Sequence, residues 1–183
     1  MRLFIAINFS DAMRGALIAL REDLRGKSTK GRFSLDENLH LTLAFLGECT
    51  LTQKETAIRA MEDVRFSPFA IEVNRIGRFR RDGCDIWWAG LRENQLLLQL
   101  QQELTEKLRR CGFLLELRKY TPHITLGRQI VTDEHPRSIA LIKENVTQID
   151  LMESTRIDGK LTYRSIWKKM QVLNFYGLGN LLI

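Results

Sequence analysis

The chain has 183 residues, of which 44% are apolar and 27% charged, a composition typical of a globular domain with a substantial core. Its net charge of +6 favours an anionic partner such as phosphate or nucleic acid. Three cysteines without a CxxC pair exclude a disulfide framework and a cysteine-rich zinc site. The apolar runs are too short for a signal peptide or a membrane span, so we expect a cytoplasmic protein without membrane contact.

The first 38 residues predict a strand, a helix and a loop. Residues 2–9 form an apolar run typical of a buried strand. Ser10 can cap a helix that ends at Gly26. The apolar face of this helix comprises Met13, Leu17, Leu20 and Leu24. The polar composition of residues 26–38 predicts a surface loop.

A second strand, a second helix and a third strand are predicted next. Residues 39–46 are apolar enough for a buried strand and are followed by Gly47. Thr52 and Glu55 have the spacing of a capping box at the start of a helix. Residues 69–73 alternate between apolar and polar types, as in a strand.

A turn at Asp82-Gly83 is predicted to precede a further strand over residues 85–91. Asn94 begins a third helix, and Gly112 stops it. The apolar stripe of this helix comprises Leu97, Leu100, Leu104 and Leu108.

The last third is less clearly patterned. A strand is expected to begin near Thr121, because Pro122 favours an extended residue before it. Residues 129–144 predict a loop with one or two helical turns. The alternating runs 146–153 and 161–168 predict a hairpin. Since no linker interrupts this order of elements, we predict one α+β domain over residues 1–183, built of two pseudo-symmetric lobes.

Two tetrapeptides nearly repeat each other: His40-Leu41-Thr42-Leu43 and His123-Ile124-Thr125-Leu126. Two of the three histidines in the chain begin these copies. Because residues i and i+2 of a strand share a face, each copy presents an imidazole beside a hydroxyl. Two such pairs that face each other would surround one small polar target with two proton-transfer groups and two hydroxyl donors.

This arrangement suits the cleavage of a phosphodiester. One imidazole can take a proton from an attacking water while the other gives a proton to the departing oxygen. The hydroxyls of Thr42 and Thr125 can donate to the non-bridging phosphate oxygens, and Arg128 can clamp the phosphate through its planar fork. Phe4, Tyr120 and Trp88 are candidates for stacking on a base or contacting the substrate, with core packing as the alternative.

A metal site is the competing use of histidine. No HExxH pattern is present, and neither tetrapeptide contains an acidic residue. The sequence also has no Gly-rich loop of the type that holds a nucleoside triphosphate. We therefore expect neither a catalytic metal nor another cofactor.

Three stretches of the chain, Arg2–Ile7, Asn38–Gly47 and Tyr120–Arg128, resemble the two-histidine (2H) phosphoesterases. Within that superfamily they are most similar to the bacterial RNA 2′,3′-cyclic phosphodiesterases, also called 2′-5′ RNA ligase-like proteins. A weaker match includes Glu153-Ser154, Gly159 and Tyr163. The resemblance extends to about residue 170 and leaves the tail beyond it unmatched.

The resemblance implies two lobes of antiparallel sheet with outer helices, and a central cleft that holds both motifs. It also implies opening of an RNA 2′,3′-cyclic phosphate to a 2′-phosphomonoester without a metal. By that similarity His40 is the proton donor to the leaving 3′ oxygen, and His123 is the proton acceptor that activates water.

The expected partner is an RNA with a 2′,3′-cyclic phosphate end or a small cyclic nucleotide, bound by a monomer. Two alternatives remain open. Some relatives join ends through a 2′-5′ linkage, so the chain could act as a ligase on tRNA halves. The basic charge also fits a non-catalytic protein that binds RNA ends.

Overall fold

The computed structural model describes residues 1–81 and 85–171, which contain three α-helices and nine β-strands. The helices are α1 (Asp11–Gly26), α2 (Leu51–Glu62) and α3 (Gln95–Arg110), and a short 3-10 turn spans Asp36–Asn38. The strands are β1 (Arg2–Ile7), β2 (Ser28–Phe33), β3 (Leu41–Glu48), β4 (Phe69–Phe79), β5 (Asp85–Leu91), β6 (His123–Thr132), β7 (Arg137–Val146), β8 (Gln148–Ile157) and β9 (Lys160–Met170). The predicted turn at Asp82-Gly83 and the tail beyond residue 171 lie outside the described residues.

The strands form two antiparallel sheets. The first sheet has the order β3-β1-β8-β9, and the second has the order β2-β6-β5-β4-β7. Helix α1 packs on the second sheet, whereas α2 and α3 pack together against strands of the first sheet. The prediction of an α+β fold with two antiparallel sheets and outer helices is therefore confirmed. None of the helices in the described residues has the length and apolarity needed to cross a membrane.

One face of each sheet contributes to a shared hydrophobic core. This core includes Leu3, Ile5 and Ile7 of β1 together with Trp87, Ala89 and Leu91 of β5. Because neighbouring side chains in a strand point to opposite faces, the intervening residues face away from the core. We call this opposite surface the site face; it carries Phe4, Ala6 and Thr42 in the first sheet and Trp88, His123 and Thr125 in the second.

The helix starts follow from their capping residues. Ser10 and Asn94 cap α1 and α3 as predicted, each through a side-chain oxygen that accepts a backbone N–H. The predicted capping box at Thr52–Glu55 is wrong. Thr50 and Gln53 form the box instead, two residues earlier, and satisfy both orphan N–H groups of a helix that begins at Leu51.

Two loop predictions are also wrong, and both concern the edge strands of the second sheet. Residues 28–33 of the predicted loop over residues 26–38 form β2, and residues 129–144 form the end of β6 and most of β7. An edge strand exposes much of its surface to water, so its residues need not show the apolar alternation of a buried strand. Their pairing with β6 and β4 defines these strands, and it depends on residues distant in sequence.

Candidate active site

The two motif strands come from different sheets but contact each other. The hydroxyl of Tyr120 donates to the backbone carbonyl of Thr42 at 2.9 Å. Tyr120 lies just before β6, so this hydrogen bond ties the approach to the second motif to the strand that carries the first. The two motifs are thereby held side by side.

Both imidazoles are oriented by the backbone two residues before them. Nδ1 of His40 lies 2.8 Å from the carbonyl oxygen of Asn38, and Nδ1 of His123 lies 2.7 Å from that of Thr121. A carbonyl oxygen only accepts, so Nδ1 carries the proton in each ring. Nε2 is then the nitrogen left to exchange a proton with a ligand.

The two hydroxyls differ in their surroundings. Oγ1 of Thr42 lies 2.9 Å from Nε2 of His40, so it donates to that nitrogen when the imidazole is neutral. Within the described residues, neither the Thr125 hydroxyl nor Nε2 of His123 has a hydrogen-bond partner. The first motif is therefore internally paired, whereas the second leaves both groups available to a ligand.

A β-bulge decides the direction of Arg128. In a regular strand Arg128, five residues after His123, would point to the opposite face. Thr125 and Gly127 instead pair with two consecutive residues of β5, so one extra residue is inserted in β6 between them. Gly127 faces the core, and Arg128 returns to the site face as an exposed side chain.

The first motif has the same bulge. Thr42 and Phe45 are three residues apart, yet both pair with site-face residues of β1. Phe45 thus occupies in the first sheet the place that Arg128 has in the second. Its ring is 47% exposed, stacks on Phe4 with centroids 6.2 Å apart, and lies 5.1 Å from the guanidinium carbon of Arg2.

Aromatic rings enclose His40. Phe4 lies 4.9 Å and Tyr163 lies 5.3 Å from the imidazole centroid. Phe4 is only 1% exposed and packs behind the imidazole, which favours the core-packing alternative for this residue. Tyr120 also has a structural role. Its hydroxyl donates a hydrogen bond to the β3 backbone, and its ring packs on the core.

Trp88, like Phe4, lies at the site face beside a motif histidine, but its side chain is partly exposed, whereas that of Phe4 is buried. Its ring lies 6.4 Å from that of His123, which also contacts Phe79 at 5.0 Å. The indole lies flat over Gly77 and Gly90, where an added Cβ atom would fall within 3 Å of the indole ring. The missing side chains of these glycines therefore create the space that the partly exposed indole fills.

Burial and charge lower the pKa of both motif histidines. The pKa of His40 falls to about 4, first because burial disfavours the charged ring and further because of the charges of His123 and Arg128. The pKa of His123 is lowered by burial and by the charges of Arg128 and Arg118. The charge of Arg128 thus lowers the pKa of both rings, and both imidazoles are neutral at pH 7.

Sequence reasoning missed four residues of this site: Asn38, Phe45, Phe79 and Tyr163. The buried amide of Asn38 donates to the Leu161 carbonyl and accepts the Tyr163 N–H, which fixes β9 beside His40. Asn38 and Phe45 lie within a motif-bearing stretch, and Tyr163 within the weak match, so a signal existed for three of the four. Nothing in the local pattern pointed to Phe79.

Residues 1–81 and 85–171 contain no cluster of three or more His, Cys, Asp or Glu side chains placed to hold a metal ion. The polar groups that the site does offer are two imidazole nitrogens, two hydroxyls and a guanidinium. The hydroxyls and the guanidinium can bind an anion, and the two imidazoles can transfer protons to and from it.

The family model, the curated relatives and the solved structures that match this chain all come from one family. The model of the 2′-5′ RNA ligase superfamily matches residues 11–157. The RNA 2′,3′-cyclic phosphodiesterase of Archaeoglobus fulgidus is 33% identical over 130 residues, which are 70% of this chain and 72% of that protein. Its namesake from Thermotoga maritima is 34% identical over 131 residues, 70% of each chain. Among solved structures, E. coli LigT complexed with 3′-AMP is similar with a TM-score of 0.83 and 27% identity, covering 93% of this chain and 97% of that one.

Proposed function

Because the chain belongs to the 2′-5′ RNA ligase superfamily, we propose that it hydrolyses RNA 2′,3′-cyclic phosphate ends to 2′-phosphomonoesters. The observation that carries this proposal is the pair of imidazoles, each held through Nδ1 by a backbone carbonyl and both coupled to Arg128. The curated relatives named RNA 2′,3′-cyclic phosphodiesterase support it, as do structures of LigT with 3′-AMP and with phosphate.

In the proposed reaction a water oxygen forms a bond to phosphorus while the bond to the ribose 3′ oxygen breaks. Nε2 of His123 takes the proton of the attacking water, and Nε2 of His40 gives a proton to the leaving oxygen. Thr125 and Arg128 donate to the non-bridging oxygens, where negative charge increases in the transition state. Thr42 can join them once Nε2 of His40 is protonated, because that nitrogen then no longer accepts the Thr42 hydroxyl proton. Exchange of both imidazoles with solvent then restores the starting protonation.

The donor role of His40 requires a protonated ring, whereas burial favours a neutral one in the free protein. We propose that the phosphate anion of the substrate supplies the missing charge partner. An opposite charge within hydrogen-bond distance raises the pKa of an imidazole, so substrate binding would itself favour protonation of His40. The division of roles follows the family resemblance. Nε2 of His123, which has no hydrogen-bond partner among the described residues, fits the position next to water.

The proposal is tested with an RNA oligonucleotide that ends in a 2′,3′-cyclic phosphate, incubated in the presence of a chelator. We expect a 2′-phosphomonoester product, and turnover lowered by about 10²- to 10⁴-fold in His40→Ala and in His123→Ala, the usual scale for loss of an acid or base. His135→Ala is the matched control, because His135 is exposed and lies outside the site. Full activity in either motif variant, with circular dichroism unchanged, would refute the proposal.

We also propose that Trp88 contacts the base of the terminal nucleotide, since the partly exposed indole lies beside His123. Gly77→Ala would push the indole off the sheet, because the new Cβ atom would overlap it. The expected result is a raised KM and altered tryptophan fluorescence. Gly15→Ala on α1 is the control, since its Cβ atom would meet nothing within 4 Å. A fluorescence change without a change in KM would remove Trp88 from the substrate site.

Membership of the 2′-5′ RNA ligase superfamily favours ligation as a second candidate activity. Incubation with tRNA halves that carry a 2′,3′-cyclic phosphate and a 5′-hydroxyl would give a 2′-5′-linked product if the reaction also runs in reverse. A protein that only binds RNA ends would give salt-sensitive binding and no product from either substrate.

A further inference from the structure

We propose that Lys30 and Arg32 of β2 continue from Arg128 as a basic track for the phosphates of the RNA chain on the 5′ side of the reacting end. This inference rests on the proposed function, because it extends the same site. It makes the substrate a polynucleotide end that is held at several phosphates. A lone cyclic nucleotide would engage only the Arg128 end of the track.

Strand register places the three side chains on one surface. Arg32 lies directly opposite Arg128, so the two share the site face. Lys30 precedes Arg32 by two residues and therefore points the same way. Gly31, between them, faces the core, where an added Cβ atom would touch Ile130 at 3.1 Å. The basic track thus begins on the strand that carries His123.

The charges of the track are not neutralised within the described residues. Lys30, Arg32 and Arg128 are all exposed, and none forms an ion pair there. Nearby cations behave differently: Lys27 and Arg137 both pair with Asp23. Three unpaired cations on one surface, leading away from a phosphate-reactive site, complement a chain of phosphates more closely than a single anion.

The local shape also leaves room for a chain. Lys30, Gly31, Arg32 and Gln129 line an open concavity of about 380 Å³. Gln129 has a φ of 55°, which marks an irregularity where β6 and β2 change register. With strands about 4.8 Å apart and residues rising about 3.3 Å, the backbones of Lys30 and Arg128 are about 8 Å apart. The three exposed side chains together cover a longer stretch of surface than one phosphate, so we expect a chain of phosphates to engage more of the track than a single one.

The test compares two substrates in two double variants. The substrates are a hexaribonucleotide with a 2′,3′-cyclic phosphate end and adenosine 2′,3′-cyclic phosphate. Lys30→Gln/Arg32→Gln is expected to raise KM for the hexanucleotide about tenfold, and to raise the ratio of its KM to that of the mononucleotide by as much. Lys54→Gln/Arg59→Gln is the control, because it removes the same charge from α2, which packs against the first sheet.

Salt dependence gives a second measure. For single strands each phosphate contact contributes about 0.7 to the slope of log affinity against log salt, so the β2 variant should lose about 1.4 of that slope. An unchanged ratio of KM values in the β2 variant, or an equal change in the α2 control, would overturn the basic track while leaving the proposed function intact.

If the parent protein hydrolyses neither substrate, the proposed function fails and the track is decided by binding alone. The probe is then a 5′-fluorescein hexanucleotide with a 3′-phosphate, followed by anisotropy. Weaker binding by the β2 variant than by the α2 control supports the track, and equal binding overturns it.

Discussion

Burial of His40 predicts a specific loss of stability in acid. Its pKa is 6.5 in a model peptide and about 4 in the folded protein, so the fold disfavours the protonated ring by about 3 kcal/mol. The contribution is fully retained above pH 6.5 and is lost as the pH falls from 6.5 towards 4, because the unfolded chain then binds the proton more readily. At pH 4.5 the loss from this one residue should be about 2 to 3 kcal/mol.

The assay is urea unfolding at pH 7.5 and pH 4.5 for the parent and for His40→Gln. The amide of glutamine does not titrate, so the variant should lose about 2 to 3 kcal/mol less stability between the two pH values than the parent. His135→Gln repeats the same substitution at an exposed histidine and controls for it. Equal acid sensitivity of the parent and His40→Gln would show that the imidazole is not held neutral by burial, and the description of the site would fail with it.

Two further predictions concern the charges and contacts around the site. Arg128→Gln should raise the pKa of both His40 and His123, whereas Arg118→Gln should raise that of His123 alone, as followed by NMR titration of the imidazole Cε1–H signals. A selective effect of Arg128→Gln on one ring would contradict their common coupling. Tyr120→Phe should lower the free energy of unfolding by about 1 kcal/mol, measured in urea, because it removes the hydrogen bond to the β3 backbone. An unchanged free energy would mean that this bond does not hold the two motif strands together.

The sequence predicted the helices and strands whose buried faces show as regularly spaced apolar residues. Helices α1 and α3 begin after the capping residues expected for them, and β5 has the bounds predicted from its pattern. The polar edge strands β2 and β7 were missed because solvent, rather than a core, meets much of their surface. Their position in the second sheet depends on pairing partners far away in the chain, which local periodicity does not report.

The candidate site shows the same limit at the level of single residues. The repeated tetrapeptides were enough to predict that each imidazole shares a face with a hydroxyl. Strict alternation would have turned Arg128 away from His123, and only the bulge between Thr125 and Gly127 brings it back. A bulge inserts one residue without any required residue type at its centre, so it could not be read from the sequence.

The bulges also explain how a repeated motif can serve an asymmetric reaction. Each bulge follows the motif threonine and turns the third residue after it to the site face. That residue is Arg128 in the second sheet and Phe45 in the first. A guanidinium at both places would add a second positive charge near His40, whose pKa Arg128 already lowers. The aromatic ring at position 45 adds no charge of its own and stacks on the buried ring of Phe4. The two histidines therefore have the same backbone geometry but different surroundings, which is what separate donor and acceptor roles require.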